Sequence, residues 1–370
     1  MTVRLGFLGA GFIADHHAGM LALSGADAVV AAVFDPDPDR AAAFASRYSS
    51  VAVSSETELF DASDAVYVCT WTSEHPRLVA EAARRALPVF CEKPLAVGLD
   101  QAVDLARVAT AAGIVNQVGL VLRDSPALLL LRSMMDDPAD GDVLTVVFRD
   151  DQYLPVRGVY KSSWRSDVAR AGAGTLLEHS IHDLDLLEWL LGPAVAVSAR
   201  TRHHHRLAGI EDVAGVHLEF ATGASAHLVS VWHDVLGRPS QRRIEVFRQR
   251  GWYCLTGDVF GPVSWSRTTV GELAAADDTG AVDISGQWTS GVAAEPESLE
   301  GDALVAELRR RGVALRFPDA GFVEAVASGM AATPGVVDAL RAHVVADAAY
   351  RSAADGGRWL DIPAGVPLTS

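Results

Sequence analysis

The first third of the chain alternates short apolar runs with segments of helical periodicity. The apolar runs predict strands at residues 3–8, 28–34, 51–53, 65–69, 88–91 and 114–118. Between these runs, apolar residues recur every three or four positions, which predicts helices from residue 12 to about 23 and at 38–48, 74–86 and 99–112. Because strands and helices alternate, the pattern is typical of a doubly wound parallel sheet with helices on both faces.

The pattern changes after about residue 119. Alternating apolar and polar residues predict long strands at 143–152, 194–202, 212–220, 225–233, 242–249 and 251–256. Helical periodicity predicts helices at 126–135, 175–191, 301–311, 318–329 and 334–353. Since several strands follow one another without helices between them, we expect a mostly antiparallel sheet. The polar segment 258–300 is expected to be a long irregular insertion.

The length of 370 residues and this change of pattern predict an α/β protein of two domains. Residues 1–121 are expected to form the doubly wound domain, and residues 122–370 an α+β domain with a large, mostly antiparallel open sheet. The C-terminal helices are expected to pack back on the first domain. One face of the open sheet must then be solvated or covered by a partner subunit.

Composition narrows the classes of protein further. Hydrophobic residues make up 49% of the chain, yet no apolar run reaches the ~18 residues of a membrane helix. A net charge of −16 disfavours binding to nucleic acid. The N-terminus leads directly into a strand, and the three cysteines lack metal or disulfide spacing, which together predict a cytoplasmic protein. The short cluster at 202–206, with three histidines, is either a metal or anion site or a solvated loop.

A glycine-rich turn follows the first predicted strand. Gly9, Gly11 and Ala14 form a G-x-G-x-x-A pattern between a strand and a helix, which is the setting of a dinucleotide fingerprint. Gly9 permits the tight turn, and Gly11 lets a pyrophosphate approach the backbone. The phosphates would lie on the helix N-terminus, beside Phe12 and Ile13, where free N–H groups favour anions.

The second predicted strand ends in Asp35. An acid at this position can bond both ribose hydroxyls and would repel a 2′-phosphate, so the sequence favours NAD over NADP. Arg40 lies nearby and could instead accept that phosphate. In another interpretation Asp35 is only a turn residue before Pro36.

The segment Thr70 to His75 follows the fourth predicted strand. Its hydroxyls and the indole of Trp71 could line the nicotinamide side of the crevice at the carboxyl ends of the strands. Packing of Trp71 under a loop explains the indole equally well.

Glu92, Lys93 and Pro94 end the fifth predicted strand, because proline has no N–H for a further ladder bond. Only two of the 31 basic residues are lysines, Lys93 and Lys161. Lysine, unlike arginine, can lose its proton when it is partly buried. Lys93 is therefore a candidate acid/base or polarising residue, with a surface lysine as the alternative.

The predicted helix 175–191 carries the densest set of titratable residues. Glu178, His182 and Asp185 fall at i, i+4 and i+7 and would share one face. A histidine can take a proton from an alcohol while a neighbouring carboxylate orients it. Solvated charges on a surface helix are the plain alternative. A metal bound by Glu178, His179, His182 and Asp183 is another, although the spacing is not a standard zinc pattern.

Taken in order, the motifs resemble those of the Gfo/Idh/MocA family, the relatives of glucose–fructose oxidoreductase and inositol dehydrogenase. The matching features are the glycine-rich turn, Asp35, Glu92-Lys93-Pro94, Trp164-Arg165 and Gly174…His182-x-x-Asp185…Trp189-Leu190-x-Gly192. The resemblance covers nearly the whole chain. It implies an N-terminal Rossmann domain, a nicotinamide cofactor, and oxidation or reduction of a carbinol carbon on a sugar or cyclitol. It also implies homodimers or homotetramers that pair through the C-terminal sheet.

The resemblance further implies roles for particular residues. Lys93 matches the motif lysine between nicotinamide and substrate, and His182 matches the catalytic histidine. Glu178 stands where the family usually has aspartate, so the second catalytic acid could be placed differently. Trp71 replaces a frequent proline. The residues predicted near the cofactor include Thr70, Trp71, His75, Glu92 and Lys93, and those predicted near the substrate are Arg123, Trp164, Arg165, His179 and His182.

The sequence therefore predicts an NAD-dependent oxidoreductase that acts on a small carbohydrate-like substrate without a metal. His182 would act as acid or base, and Lys93 would polarise the reacting oxygen. Two other functions stay open at this stage. Some members of the family use NAD⁺ transiently to break a glycosidic bond without net oxidation, and a non-catalytic sensor would bind the cofactor without any reaction.

Overall fold

The computed structural model describes residues 2–157, 160–257, 259–273, 296–366 and 368. Two sheets organise them, one of six strands and one of nine. This arrangement confirms the predicted α/β fold class.

The first sheet is wholly parallel, and helices cover both of its faces. Its strands are β1 Val3–Leu8, β2 Ala28–Phe34, β3 Val51–Ala52, β4 Ala65–Val68, β5 Val89–Cys91 and β6 Asn116–Val118. Its helices are α1 Phe12–Ser24, α2 Pro38–Tyr48, α3 Glu56–Ala62, α4 His75–Arg84 and α5 Leu99–Ala112. The strand order is β3-β2-β1-β4-β5-β6. From β1 the chain adds strands toward one edge of the sheet, and from β4 it adds them toward the other edge, so the order reverses between β1 and β4. A crevice for ligands is expected at the carboxyl ends of the strands beside such a reversal.

The second sheet is antiparallel except where β7 and β10 run parallel, as predicted for this half of the chain. Its strands are β7 Val143–Tyr153, β8 Ala194–Arg202, β9 Val213–Phe220, β10 Ser225–His233, β11 Gln241–Arg248, β12 Gly251–Thr256, β13 Val263–Arg267, β14 Glu297–Leu299 and β15 Leu360–Asp361. The accompanying helices are α6 Pro126–Met135, α7 Val168–Ala171, α8 Ile181–Leu191, α9 Gly301–Arg310, α10 Pro318–Ser328 and α11 Val336–Ala354. The order of the strands is β14-β13-β12-β11-β7-β10-β9-β8-β15.

The prediction of an irregular insertion at 258–300 is wrong for its two ends. Strand β13 pairs with β12, and β14 pairs with β13, so both ends extend the edge of the large sheet. The strands have five and three residues, which is too short for alternation to distinguish them from a loop. The centre of the predicted insertion, 274–295, lies outside the described residues.

The last two helices join the two halves of the molecule. Phe322 and Val323 on α10 lie in the same apolar cluster as Phe7 and Phe90 of the first sheet. Helix α11 packs on α5, which covers the first sheet, and on α8 and β8 of the second half of the chain. It therefore contacts both halves. The domain boundary near residue 121 stays a prediction. Throughout the described ranges, no helix has the length and apolar character needed to cross a membrane.

The predicted helix 175–191 is divided in the structure. A π-helical turn covers Thr175–His179, and α8 begins only at Ile181. The turn is held because Glu211 accepts hydrogen bonds from the backbone N–H groups of Gly174 and Leu176. The i, i+4, i+7 spacing of a regular α-helix therefore does not apply across this segment.

Candidate active site

A cleft of about 640 Å³ opens at the carboxyl ends of the first sheet's strands, between that sheet and the segment 160–170. Gly9 has a φ of +93°, and a Cβ there would lie 2.5 Å from the Cys69 carbonyl oxygen, so only glycine fits. Gly11 begins α1, and a Cβ there would meet no atom within 4 Å. The turn thus leaves room at a helix N-terminus, where a diphosphate fits. Other predicted cofactor residues on the cleft wall are Phe12, Ile13, Asp35, Thr70, Trp71, Glu92 and Lys93.

Asp35 also holds the glycine-rich turn. One carboxylate oxygen accepts the backbone N–H of Ala10 at 2.9 Å, and the other accepts that of Asp37, also at 2.9 Å. Asp35 therefore stabilises the turns through backbone hydrogen bonds and also lies on the cleft wall, as the two alternatives for this residue predicted. Arg40 lines the same cleft, and its guanidinium lies 3.6 Å from the Asp37 carboxylate.

Lys93 lies where this cleft meets a second, smaller pocket, and it lines both. Its Nζ donates a hydrogen bond to the backbone carbonyl of Glu178 at 2.6 Å. Burial lowers the pKa of Lys93; the nearby carboxylates of Glu178 and Glu92 oppose that shift, and the positive charge of Arg165 adds to it. The ammonium group is therefore fixed in place and loses its proton more readily than an ordinary lysine.

Glu92 bonds to the backbone of Lys93 and to the buried side chain of His17. Its Oε2 accepts the backbone N–H of Lys93 at 3.1 Å, while its Oε1 lies 2.9 Å from Nε2 of His17. The other ring nitrogen of His17 lies 2.8 Å from the Asp319 carboxylate, and all three side chains are buried. Hydrogen bonds to Asp319 and Glu92 outweigh burial and raise the pKa of His17 to about 9, so an imidazolium lies between two carboxylates. This network ties α1, the lysine loop and α10 together.

The smaller pocket, of about 220 Å³, lies between Lys93 and the large sheet. Besides Lys93 it is lined by Leu122, Asp150, Gln152, Tyr160, His179, His182, Ser240, Gln241 and Arg242. Two residues predicted near the substrate, His179 and His182, are therefore on its wall. Because Lys93 belongs to both cavities, the two cavities adjoin at that side chain.

His182 is uncharged at neutral pH. Burial, together with the positive charges of Lys93 and Arg242, lowers the pKa of His182 well below 6.5. Within the described part of the chain, the buried Nδ1 has no hydrogen-bond partner, so no carboxylate orients the ring through that atom. A neutral imidazole beside an ammonium group can accept a proton from a substrate hydroxyl.

Asp185 and Arg123 form an ion pair with each other. The Arg123 guanidinium donates to both carboxylate oxygens of Asp185, at 2.8 and 2.5 Å. Neither side chain is on the wall of the smaller pocket. Arg123 therefore stays only a prediction as a substrate-binding residue, whereas the shared face of Glu178, His182 and Asp185 is wrong, because the helix is divided.

Glu178, predicted as a catalytic acid, is held on the cleft side of Lys93. Its buried carboxylate accepts hydrogen bonds from Arg165 at 2.9 Å and from Thr72 at 3.2 Å. Trp164 packs on the Arg165 guanidinium, 4.4 Å from the ring centre. Trp164 and Arg165 line the larger cleft rather than the smaller pocket, and their place at the substrate stays a prediction.

His75 does not line the cleft, contrary to its prediction as a cofactor residue. It is 1% exposed, and its Nδ1 donates to the Pro94 carbonyl at 2.8 Å. Its role is to hold the loop that carries Lys93. Trp71, by contrast, does lie on the cleft wall, where the Arg170 guanidinium covers its ring at 4.5 Å.

A charged cluster beneath the smaller pocket was not predicted from the sequence. The Arg242 guanidinium contacts the Asp150 carboxylate at 2.8 Å and donates to Asp183 at 3.1 Å, and His179 lies 3.0 Å from Asp150. Burial and the Asp150 charge raise the pKa of Asp183 to about 7. The only signal in the sequence was the position of Asp183 next to His182.

The described residues contain no group of three or more histidine, cysteine, aspartate or glutamate side chains that could hold a metal ion. In the histidine-rich segment, His205 lies 2.7 Å from Asp212 and 3.3 Å from Asp234. His205 therefore belongs to a small ion-pair network at the end of β8 and β9.

Comparison with known proteins extends over most of the chain. Residues 3–120 match the family described as "Oxidoreductase family, NAD-binding Rossmann fold", and residues 128–254 match "GFO/IDH/MocA C-terminal domain". Inositol 2-dehydrogenase of Rhizobium meliloti (strain 1021) is 29% identical over 368 residues, which cover 96% of this chain and 98% of that protein. Inositol 2-dehydrogenase 2 of Paenarthrobacter aurescens (strain TC1) is 30% identical over 269 residues, covering 68% and 74%.

Among solved structures, the fold is similar to that of the WlbA dehydrogenase from Bordetella pertussis in complex with NADH and UDP-GlcNAcA. The TM-score is 0.80 at 20% identity, with 98% of each chain covered. The likeness at this identity concerns the arrangement of the two sheets and their helices.

Proposed function

We propose that this chain, which belongs to the Gfo/Idh/MocA family of oxidoreductases, oxidises a secondary hydroxyl of a sugar or cyclitol with NAD⁺. The single observation that supports this reaction most strongly is the position of Lys93 and His182. Both line the smaller pocket, and Lys93 alone of the two also reaches the cofactor cleft. A substrate carbon in that pocket would thus lie next to a bound nicotinamide.

The proposed mechanism gives each residue one task. Bound NAD⁺ supplies the hydride acceptor. Neutral His182 removes the proton from the reacting hydroxyl, and Lys93 donates a hydrogen bond to the same oxygen as negative charge develops there. Glu178 is a positioning residue in this proposal, because its carbonyl holds the Lys93 ammonium and its carboxylate is already bonded to Arg165.

Replacement of the proposed base tests this mechanism. His182→Ala should lower kcat by about 10²–10⁴-fold and leave the affinity for NADH nearly unchanged, because a general base acts on the chemical step. Initial rates and NADH fluorescence titrations measure the two quantities. His16→Ala, which removes an exposed histidine outside both cavities, is the matched control. Full turnover in the His182 variant would exclude this histidine as the base.

We also propose that NAD is preferred over NADP. Asp35 lies on the cleft wall at the end of β2, where its carboxylate would repel a 2′-phosphate. Asp35→Ser should raise the ratio of kcat/KM with NADP⁺ to that with NAD⁺, while Asp37→Ser, two residues further along the chain, should change the ratio less. A wild-type preference for NADP⁺ would contradict this proposal.

A second copy of the chain is the proposed partner of the large sheet. Val147, Val229 and Phe247 lie on the face opposite the core and are 42%, 44% and 38% exposed. Polar and charged side chains lie beside them on the same face, namely His227, Glu245 and Arg149. The face is therefore mixed in character. An open sheet face of this kind can associate with a copy of itself through a two-fold axis. A homodimer or homotetramer built on this face is therefore proposed.

A further inference from the structure

We infer that the smaller pocket selects an uncharged polyhydroxylated ring and discriminates against sugar acids and sugar phosphates. The inference rests on the proposed function, because it takes the smaller pocket as the substrate site. The charged side chains around the pocket and their ion pairs determine which chemical class of substrate the pocket accepts.

Two arginines near the site that could have bound an acidic substrate already form ion pairs with protein carboxylates. Arg123 makes a bidentate ion pair with Asp185, and Arg165 bonds to Glu178. Neither guanidinium is on the wall of the smaller pocket. An acidic group on a substrate would therefore have to break a buried ion pair to gain either of them, which is costly.

Arg242 is on the pocket wall, but Asp150 and Asp183 already bind its guanidinium. Asp150 lies 2.8 Å from its Nη2, and Asp183 accepts from its Nε at 3.1 Å. The two acids are 2% and 0% exposed, so solvent screens these contacts little. Proteins that bind carboxylate or phosphate offer arginine forks to the ligand, whereas the fork of Arg242 is turned to its own acids.

The remaining charges add to this selection. Asp150 is itself on the pocket wall, so it would repel an anion in a site of low dielectric. The ammonium of Lys93 is directed at the Glu178 carbonyl and, in the proposed mechanism, at the reacting oxygen. Within the described lining, the cationic groups of Lys93 and Arg242 are thus already bonded to protein oxygen atoms, and a carboxylate or a phosphate would have to compete for them.

The uncharged side chains of the pocket suit hydroxyl groups. Gln152 accepts a hydrogen bond from the Trp232 indole at 3.2 Å, and Gln241 accepts one from Arg149, also at 3.2 Å. With their oxygens used in this way, the two amides are left to donate through their NH₂ groups. The Asp150 carboxylate, on the same wall, can accept a hydrogen bond from a substrate hydroxyl. A hydroxyl both donates and accepts, and a volume of about 220 Å³ has room for one ring.

Uncharged sugars paired with acidic counterparts test the inference on the wild-type enzyme; the uronates change the charge at nearly constant size, and the phosphates change both charge and size. The probes are D-glucose against D-glucuronate and D-glucose 6-phosphate, D-galactose against D-galacturonate, and myo-inositol against its monophosphate. Binding to the NADH-loaded enzyme and turnover with NAD⁺ are measured for each probe. At least one uncharged probe should bind, and its charged counterparts should bind at least about tenfold more weakly. Equal or tighter binding of the charged members, or no binding of any uncharged probe, would overturn the inference.

A change of charge balance provides a second, independent test. Asp150→Asn removes the carboxylate that lies on the pocket wall 2.8 Å from the Arg242 guanidinium, so the preference for the uncharged member of each pair should shrink by about tenfold. Asp151→Asn is the matched control. It makes the same change one residue further along β7, where the carboxylate binds Arg238 outside the pocket. An unchanged preference in the folded Asp150 variant, or an equal change in the control, would contradict the charge-balance argument.

The two measurements separate this inference from the proposed function. If uncharged rings bind to the NADH-loaded enzyme but are never oxidised, the proposed dehydrogenase reaction fails and the selection by charge stands. If sugar acids are oxidised faster than their uncharged counterparts, the reaction stands and the selection fails.

Discussion

Burial determines the protonation of individual residues at the candidate site. The pKa of His182 is lowered well below 6.5 by burial and by neighbouring cations, so the ring is ready to accept a proton at neutral pH. Since its folded-state pKa is depressed, acid should inhibit proton abstraction only well below pH 6.5. Burial also lowers the pKa of Lys93, so its ammonium group loses the proton at a lower pH than that of an ordinary lysine.

The network of His17, Glu92 and Asp319 predicts a pH dependence of stability. The pKa of His17 is about 9 in the folded state against 6.5 ordinarily, so protonation favours folding. This contribution is fully present below about pH 6.5 and is lost as the pH rises through about 9. Its size is on the order of 3 kcal/mol. Denaturant unfolding between these pH values measures the loss.

The matched variants for this measurement are His17→Gln and His204→Gln. The His17 variant should be less stable at pH 6.5 and should show a flatter pH profile, because its amide does not titrate. The change at His204, an exposed histidine outside the network, should keep the wild-type slope. The same slope in all three proteins would show that the His17 network does not cause the pH dependence.

Single residues were predictable from the sequence where their role is local. Gly9 and Asp35 each directly follow a strand with a clear apolar pattern, and the known spacing of the dinucleotide fingerprint was enough to place both at the larger cleft. The contact of His17 with Asp319 spans 302 positions, and that of Arg123 with Asp185 spans 62. No spacing rule links residues so far apart, and for this reason the ion pair of Arg123 with Asp185 was not predicted.

At the scale of elements, the start of α1 makes a specific prediction about cofactor binding. A methyl group at Gly11 would meet no protein atom within 4 Å, yet it would project into the space proposed for the pyrophosphate. Gly11→Ala should therefore leave the free energy of unfolding nearly unchanged and weaken NADH binding by about tenfold or more.

Gly98→Ala is the control for this experiment, because Gly98 also begins a helix, α5, with open space around its Cβ position. It lies outside the cofactor cleft, so NADH affinity should not change. Chemical denaturation and NADH fluorescence titration supply both readouts. Wild-type affinity in Gly11→Ala would place the pyrophosphate elsewhere.

Elements with a strong period were predicted correctly, and those governed by tertiary contacts were not. The parallel strands and the long antiparallel strands follow from their apolar patterns. The break between the π-helical turn and α8 depends on hydrogen bonds to Glu211, more than 30 positions away. Strand β13 exists because β12 offers it an edge, which its own five residues do not reveal.

For the whole molecule, the exposed sheet face predicts self-association. Val229→Lys places a charge in the centre of that face and should convert the wild-type oligomer to monomers, because a lysine is costly to bury without a partner. Light scattering after size exclusion measures the mass. Val108→Lys, a similarly exposed valine on α5, should leave the mass unchanged. A monomeric wild type at micromolar concentrations would contradict the proposed assembly.

The arrangement of the two cavities around Lys93 emerges only from the whole molecule. The sequence indicated a cofactor fold in one half and an imidazole in the other. That Lys93 lines both cavities depends on how the large sheet sits over the first one. The Arg242 cluster comes from β7, β11 and α8 and likewise has no signature within any one segment.

The central claim is net transfer of a hydride from a polyol ring to NAD⁺ between Lys93 and His182. The most direct test incubates the enzyme with NAD⁺ and an uncharged sugar or cyclitol that binds it, and measures reduced nicotinamide and oxidised product together. The predicted result is one NADH for each substrate molecule oxidised in the wild type, with the rate reduced at least about a hundredfold in His182→Ala. Consumption of the substrate without accumulation of NADH would contradict the claim.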